Sequence, residues 1–473
     1  MSARSGHDDR CKTAPADPQA TAPVHTAAPP GERSDQTAHH RTDSHREPSL
    51  WEAVFSKENL LAALRRVEAN RGAPGVDGMT TEELRPWIAR NWPTVWAELD
   101  AGTYRPAPVR RVTIPKPDGG ERMLGVPRVL DRLIQQAIAQ ALVPVFDPHF
   151  SGSSFGFRPG RSAHQAVKAG RRAVQDGNRW AVDLDLDKFF DRVNHDALMA
   201  RVARRVRDKK VLKLVRRYLE AGVMAEGAVV ASEEGTPQGS PLSPLLSNIM
   251  LDDLDRELFK RGHRFVRYAD DVMIFVRSER AATRTLASVT DFIEKTLKLK
   301  VNKEKSKACP IWWTSLLGFG YYLSRGKVKI RVDRKAVKRL KVTVRRYTSR
   351  TWGVSMDHRL DKLNRFVTGW VAYFSLADSS RVFEEIDHWT RRRLRQAQMV
   401  QWKTFTRKRH MLRKLGYEAE ADEHGTIQLA ARKRYWRQSR LKAPSIAMNS
   451  AYWESKGYRS FKTSWSRSRL RTT

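Results

Sequence analysis

Apolar positions follow a helical period near both ends of the chain and a shorter, strand-like period in the middle. Periodic sequence begins at "SLWEAVFSKENLLAALRRVEAN", which predicts a basic helix from residue 49. "RGAPGVDGMTTEELRPWI" follows, a Gly/Pro loop and then a helix capped near Thr80 or Thr81. "VRRVTIPKPDGGERMLGV" predicts two strands joined by a Pro-Asp-Gly-Gly turn. In "LIQQAIAQALVPVF", Leu133, Ile134, Ala137, Ile138, Ala141, Leu142 and Val145 share one helical face. "WAVDLDLDKFF" reads as a strand ending in acids, and "SPLSPLLSNIMLDDLDREL" as a helix opened by Ser-Pro. "RYADDVMIF" has two carboxylates between two apolar runs, the pattern of a β-hairpin with a very short turn. "ATRTLASVTDFIEKTLKL" is again helical. The expected class is α+β around a mainly antiparallel sheet.

Beyond about residue 330 the pattern becomes basic helices. Over 334–350, Val337, Leu340, Val344 and Tyr347 keep helical spacing, while Lys335, Lys338, Arg339, Arg345 and Arg346 lie mostly off that stripe. A second helix carries Leu360, Leu363, Val367, Trp370, Val371 and Phe374 on one side. At the other end, residues 1–48 are rich in Ala, Pro, Thr, Asp and His. They have too few large apolar side chains to offset their ordering entropy, so a disordered tail is expected.

Charge narrows the function. The 473 residues hold 88 Lys and Arg against 52 acids, a formal charge of +36. Residues 391–473 alone hold 22 cations against 5 acids. Such a surface gathers polyanions, and nucleic acid is the commonest of them. A ribosome-associated or membrane-surface protein is the bland alternative, and it leaves the paired acids unexplained. No apolar run approaches the roughly 18 residues of a membrane span, and the N-terminus lacks the apolar core of a secretory signal. Only Cys11 and Cys309 are present, which excludes a disulfide framework and a Cys-rich zinc module and suits a reducing cytoplasm.

The paired acids carry the chemistry. Asp270 and Asp271 repel each other at a hairpin tip and gain nothing from a core. Asp183 and Asp185, two apart on a strand, point to one face. If that strand neighbours the hairpin, Asp185 approaches Asp270 and Asp271 at one sheet edge. All-oxygen ligation of that kind suits Mg²⁺. Two such ions about 4 Å apart activate an attacking hydroxyl and neutralise a leaving pyrophosphate, which makes the reaction class nucleotidyl transfer.

Tyr268-Ala269-Asp270-Asp271 resembles the catalytic box of reverse transcriptases, in the variant of bacterial group II intron proteins. Other segments resemble the family in its order: "GAPGVDG" at 72, "IPKPDGGERMLGVP" at 114, "SFGFRPGRSAHQAV" at 154 and "DLDLDKFFDRVNH" at 183. "GTPQGSPLSPLLSNIML" at 235, "LKVNKEKSKAC" at 299, "LLGF" at 316 and "RFVTGWVAYF" at 365 complete the series. The resemblance spans about 50 to 460.

The resemblance implies a right-hand polymerase, with fingers and palm followed by a helical thumb. Residues 49–103 would be an N-terminal extension, 104–325 fingers and palm, 326–400 the thumb/maturase domain X, and 401–473 a basic nucleic-acid-binding region. It implies Asp185, Asp270 and Asp271 as catalytic metal ligands, and Leu186 offering its main-chain carbonyl to the metal; Mn²⁺ is a substitute for the two Mg²⁺ ions. Asp183 is read as shaping the site. Phe190 matches the aromatic gate that rejects a ribose 2′-OH, with core packing as its plain alternative. Lys116 and Arg122 resemble fingers residues that grip the incoming dNTP, against ordinary surface charge. Gln238 and Gly239 resemble the loop under nucleotide and template base, against a simple helix-entry turn. Lys305 resembles a lysine proposed as proton donor to pyrophosphate. Tyr268 would support the primer end, and His195 would cap or pack.

Lys335, Lys338, Arg339, Arg345 and Arg346 would lie along the RNA template–DNA primer duplex, reading A-form shape and phosphates. The same surfaces would hold the group II intron RNA, so that maturase action is binding work. Trp370, Tyr373 and Phe374 are expected in a core, while Trp402, Trp436, Trp453 and Trp465 are open either way. Relatives often carry a His-Asn-His endonuclease with Cys pairs. Beyond residue 309 there is no cysteine, and His lies only at 358, 388, 410 and 424, so no such nuclease is expected and target DNA would be primed from existing ends. Two rivals remain: a domesticated reverse transcriptase in DNA repair or phage defence, and a maturase that only binds RNA.

Overall fold

In the computed structural model, residues 48–115, 121–225, 228–230, 239–417 and 435–470 are described. The expected tail over 1–48 (apart from its last residue), Lys116, Gln238 and the side chain of Arg122 lie outside them. The first predicted helix is two, α1 (Leu50–Phe55) and α2 (Lys57–Asn70). Ser56 stands between them in extended backbone (φ −58°, ψ 146°), and its hydroxyl accepts the Asn59 N–H, which closes one helix and caps the next. Helix α3 (Thr81–Asp100) opens on Thr80 with a reciprocal Thr80–Glu83 capping box.

Strands β1 (Val109–Pro115) and β2 (Glu121–Val126) pair antiparallel, from Arg110 opposite Val126 to Pro115 opposite Glu121. Helices α4 (Val129–Phe146) and α5 (Ala163–Gln175) lead to β3 (Trp180–Leu184). Then come α6 (His195–Ala203), α7 (Lys209–Glu220), β4 (Val223–Ala225), β5 (Ala228–Val230) and α8 (Ser243–Lys260). The hairpin β6 (Arg264–Tyr268) and β7 (Asp271–Val276) follows, then α9 (Glu279–Lys295), β8 (Lys307–Pro310), β9 (Phe319–Ser324) and β10 (Lys327–Val332). The rest is helical: α10 (Arg334–Tyr347), α11 (Met356–Phe374), α12 (Arg381–Gln401), α13 (Phe405–Lys414), α14 (Tyr435–Gln438), α15 (Lys442–Ala447), α16 (Ser450–Ser455) and α17 (Phe461–Leu470). Among the described strands every pairing is antiparallel except β1 with β4. No helix of the described residues is long and apolar enough to cross a membrane.

The sheet that positions the site has the order β6-β7-β3-β8. Side chains alternate between its faces, and both faces are buried. Val182, Leu184, Val272, Ile274 and Val276 join a core with α1, α2, α4, α8 and α9. Ala181, Met273 and Phe275 join a second core with α5, β9, β10 and the helices from α10 onward. On α10 Leu340 and Val344 of the expected stripe are buried together with Ala336, while Val337 and Tyr347 are half-buried. Lys335, Lys338, Arg339, Arg345 and Arg346 are all exposed. On α11 the expected face is buried except Trp370, which is half-buried. Phe374 is buried, while Tyr373 is exposed, contrary to the expected core role. Trp402 and Trp453 are buried; Trp436 lies against the Arg392 guanidinium at 3.5 Å, and Trp465 stacks on Phe383.

Candidate active site

The acids meet through strand register. β3 and β7 run antiparallel with Asp183 opposite Met273 and Leu184 opposite Val272. Ladder pairing of β3 stops at Leu184, so Asp185 lies one residue past the strand and not within it as expected. Continuing the register sets Asp185 opposite Asp271, and alternation puts both on the face of Asp183 and Met273. What holds Asp185 there comes from far along the chain. Its N–H donates to the Ser306 hydroxyl at 3.0 Å, and its carbonyl accepts the Asn302 N–H at 2.8 Å. Leu186 forms a single bridge with Val301.

The hairpin closes with Tyr268 paired to Asp271, leaving Ala269 and Asp270 as a two-residue turn. Ala269 takes φ +59°, the left-handed region that a two-residue hairpin needs and that a residue with a Cβ resists. The surroundings impose it. Arg267, fully buried, pairs with both carboxylate oxygens of Asp255 at 2.8 and 2.6 Å. It also donates to the Asn248 side chain at 2.8 Å and to the Ala269 carbonyl at 3.0 Å. Asn248 in turn donates to the Gly156 carbonyl at 2.9 Å. Gly156 lies so close behind the turn that a Cβ there would come within 2.3 Å of the Ala269 nitrogen. Arg267, Asn248, Asp255 and Gly156 were not among the expected site residues. Their one sequence sign is a charge, Arg267, inside the apolar run of β6.

Electrostatics at this sheet end are unfavourable to the acids. The Asp271 carboxyl is pushed up to about 6, by loss of solvent and then by Asp270, Asp185 and Asp183. Its outer side is open to water, and the three neighbouring carboxylates add like-charge repulsion. Burial raises the Asp183 carboxyl too, against the Thr314 hydroxyl donating at 2.7 Å and the nearby Lys307 and Lys335. That fits Asp183 as a shaping residue. Lys305 brings its Nζ to 3.6 Å from Asp185. Among the described residues no three His, Cys, Asp or Glu side chains already form a metal cage. The donor chemistry nevertheless fits a hard cation. Oxygen donors alone crowd here, and their mutual repulsion is the quantity a divalent ion relieves.

Asp270 opens onto a cleft of about 510 Å³ shared with Phe157, Phe190, Gly239, Leu124, Arg66 and Arg132. Phe189 takes the core role, buried, while Phe190 meets it edge-on at 5.2 Å and faces the cleft. Gly239 has φ +115°, and a Cβ there would come 3.0 Å from the Gly125 carbonyl of β2, so the loop hugs the β1–β2 hairpin. Arg122 pairs through its backbone with Ile114 in that hairpin. Next to it Ser240 donates to Gln135 of α4. Tyr268 is half-buried, with the Phe157 ring 6.5 Å away. Burial and the Tyr268 hydroxyl raise the Tyr373 phenol, against Arg339. Lys335 therefore stands near Asp183, and Arg339 near the Tyr373 phenol. Arg345 instead lies over Trp389 at 5.5 Å, Arg346 over Tyr347 at 4.9 Å, and Lys338 is on the open surface. His195 begins α6 and is buried. A groove of about 640 Å³ between α11 and α17 lies apart from these acids and contributes only Glu454 as a carboxylate.

A family model described as reverse transcriptase (RNA-dependent DNA polymerase) matches residues 114–345. Another, the group II intron maturase-specific domain, matches 337–416. Protein YkfC of Escherichia coli is 33% identical over 298 residues, covering 54% of this chain and 78% of that protein. The group II intron-encoded protein LtrA of Lactococcus lactis is 35% identical over 226 residues, covering 46% of this chain and 36% of that one. The chain thus spans most of the first relative but about a third of the second. A chain of a solved structure titled "Partial Cas6-RT-Cas1--Cas2 complex" aligns at 25% identity over 53% of this chain and 43% of its own, with a TM-score of 0.34, too low to bear on the fold. With both signature domains in sequence, and with these relatives, the chain belongs to the group II intron-encoded reverse transcriptases, RNA-directed DNA polymerases joined to an intron maturase domain.

Proposed function

We propose that the protein binds its own group II intron RNA, assists its splicing, and copies it into DNA at the sheet end that carries Asp185, Asp270 and Asp271. What supports this most is the β3–β7 ladder, which ends with Leu184 opposite Val272, one residue short of Asp185 and Asp271. Asp185 and Asp270 both act electrostatically on Asp271, and Asp270 lies on the cleft. Two magnesium or manganese ions, when bound, would supply activation of the primer hydroxyl and charge for the departing pyrophosphate. Asp185, Asp270, Asp271 and the Leu186 main-chain carbonyl would hold them.

The remaining roles fall to the chain's own groups. Phe190, half in the core and half in the cleft, refuses a 2′-OH. Lys116 and Arg122 grip the triphosphate of the dNTP from the β1–β2 hairpin, since guanidinium binds phosphate bidentately. Gln238 and Gly239 pass beneath the nucleotide. Lys305, already at the Asp185 carboxylate, gives a proton to the leaving group. Tyr268 steadies the primer end, with Lys335 and Arg339 on the adjoining phosphates and Lys338, Arg345 and Arg346 further along. In this reading 49–103 extends the fingers, 104–325 forms fingers and palm, 326–400 the thumb, and 401–473 a basic region that meets target DNA. The protein works in the bacterial cytoplasm.

Maturase action is mass action: binding the folded intron in preference to the misfolded one shifts the RNA equilibrium. Primer extension on an RNA template with Mg²⁺ tests the polymerase, and filter binding of the intron tests the maturase. Asp270→Asn is expected to abolish extension while intron affinity stays within about twofold, because a rim carboxylate contributes little to distant phosphate contacts. Loss of both together would mean that the acids hold the fold and not the metals.

A further inference from the structure

Phe157 breaks two local rules at once. Its backbone has φ +57°, a left-handed conformation that glycine adopts freely and that a bulky side chain resists. The residue is 54% exposed, an apolar side chain given to water. Neither follows from packing, since the one aromatic neighbour is Tyr268 at 6.5 Å, tilted by 44°.

The chain on both sides forces the conformation. Before it, Gly156 is wedged against the Ala269 turn and held by Asn248. After it, the buried Arg158 donates to the Asp147 carboxylate at 2.7 Å and to the carbonyls of Asp147, Ser151 and Ser154. Fixed at both ends, residue 157 has no choice of backbone, and glycine or asparagine would meet the requirement at less cost. A residue that is strained, exposed and over-determined by its surroundings is where local fitness has yielded to function.

The position says which function. Phe157 lines the same cleft as Phe190, Gly239 and Asp270, beside the Tyr of the catalytic box. We propose that Phe157 is a stacking platform for the nascent base pair, presenting its π-face to a nucleobase in the polymerisation cleft. The inference rests on the polymerase reading above. Aromatic stacking suits a polymerase because every base offers a π-face, so the platform is indifferent to sequence.

The test compares Phe157→Gly, Phe157→Leu and Phe157→Tyr in steady-state extension of a DNA primer on a homopolymeric RNA template, alongside thermal unfolding. The glycine variant is expected to unfold at the same temperature as the parent or higher, because left-handed backbone no longer carries a Cβ. Its KM for the dNTP should rise about tenfold with kcat changed far less, the size of losing one base–aromatic stack. Leucine, apolar but without a π-face, should behave like glycine in KM, and tyrosine should restore the parent value. Wild-type KM in the glycine or leucine variant would overturn the proposal, as would a fall in unfolding temperature in the glycine variant, which marks a packing role. A parent protein that extends no primer would instead overturn the polymerase reading itself.

Discussion

At the scale of single residues, the clearest signature is a carboxyl held where it resists ionisation. The Asp271 carboxyl is pushed up to about 6 in the fold by loss of solvent and by its acidic neighbours, above the ordinary carboxylate value near 4. A folded pKa above the unfolded one means that the proton favours the fold. The contribution is full below about 4 and is lost as pH rises through about 6. A divalent cation needs the ionised form, so metal binding and protonation compete at this position. Two outcomes are expected. In a chelator at neutral pH, Asp271→Asn should raise the unfolding temperature. In extension assays, the acid limb of the pH–rate profile should move to lower pH as Mg²⁺ is raised, whereas a limb that ignores Mg²⁺ would separate Asp271 from the metal. Asp270 and Asp271 were legible in sequence because acids at the mouth of an apolar run have no packing reason to be there. Asp185 was legible too, but not its support, since Asn302 and Ser306 declare themselves only once the chain has folded back.

At the scale of elements, what aims the acids is a polar tether between α8 and the β6–β7 hairpin. Arg267 and Asp255 are both fully buried and satisfy each other through two hydrogen bonds. Removing one partner strands a buried charge, so Arg267→Met should cost about 3–5 kcal/mol in urea unfolding. The double replacement with Asp255→Leu should recover most of that, and recovery without polymerase activity would locate the tether's purpose in holding the Ala269 turn. If the double variant were as unstable as the single one, the pair would owe its stability to packing. Helix and strand identities were largely readable from periodicity. Boundaries were not, wherever one side chain decides them: Ser56 splits a run whose apolar spacing continues through it. The cleft was less readable still, because Gly156 and Phe157 matter through neighbours distant in sequence.

At the scale of the whole molecule, charge governs affinity. With a formal charge of +36, binding to intron RNA should weaken linearly in log–log plots against salt, at a slope set by the number of phosphates neutralised. Replacing Lys335, Lys338, Arg339, Arg345 and Arg346 with glutamine should flatten that slope by about one for each phosphate left without its cation, while unfolding temperature changes little because all five are exposed. An unchanged slope would move the RNA surface elsewhere, with the basic stretch after residue 400 the next candidate.

The central sheet is clad on both sides, and its second cladding runs from α5 through β9 and β10 into α11, α12 and α17 without a break. Copying and splicing assistance are therefore not two tools on one handle. A chain cut at the boundary between them would bare the apolar inner side of β9, β10 and α10. Each half carries part of the other's interior, so neither is expected to stay soluble when expressed without the other.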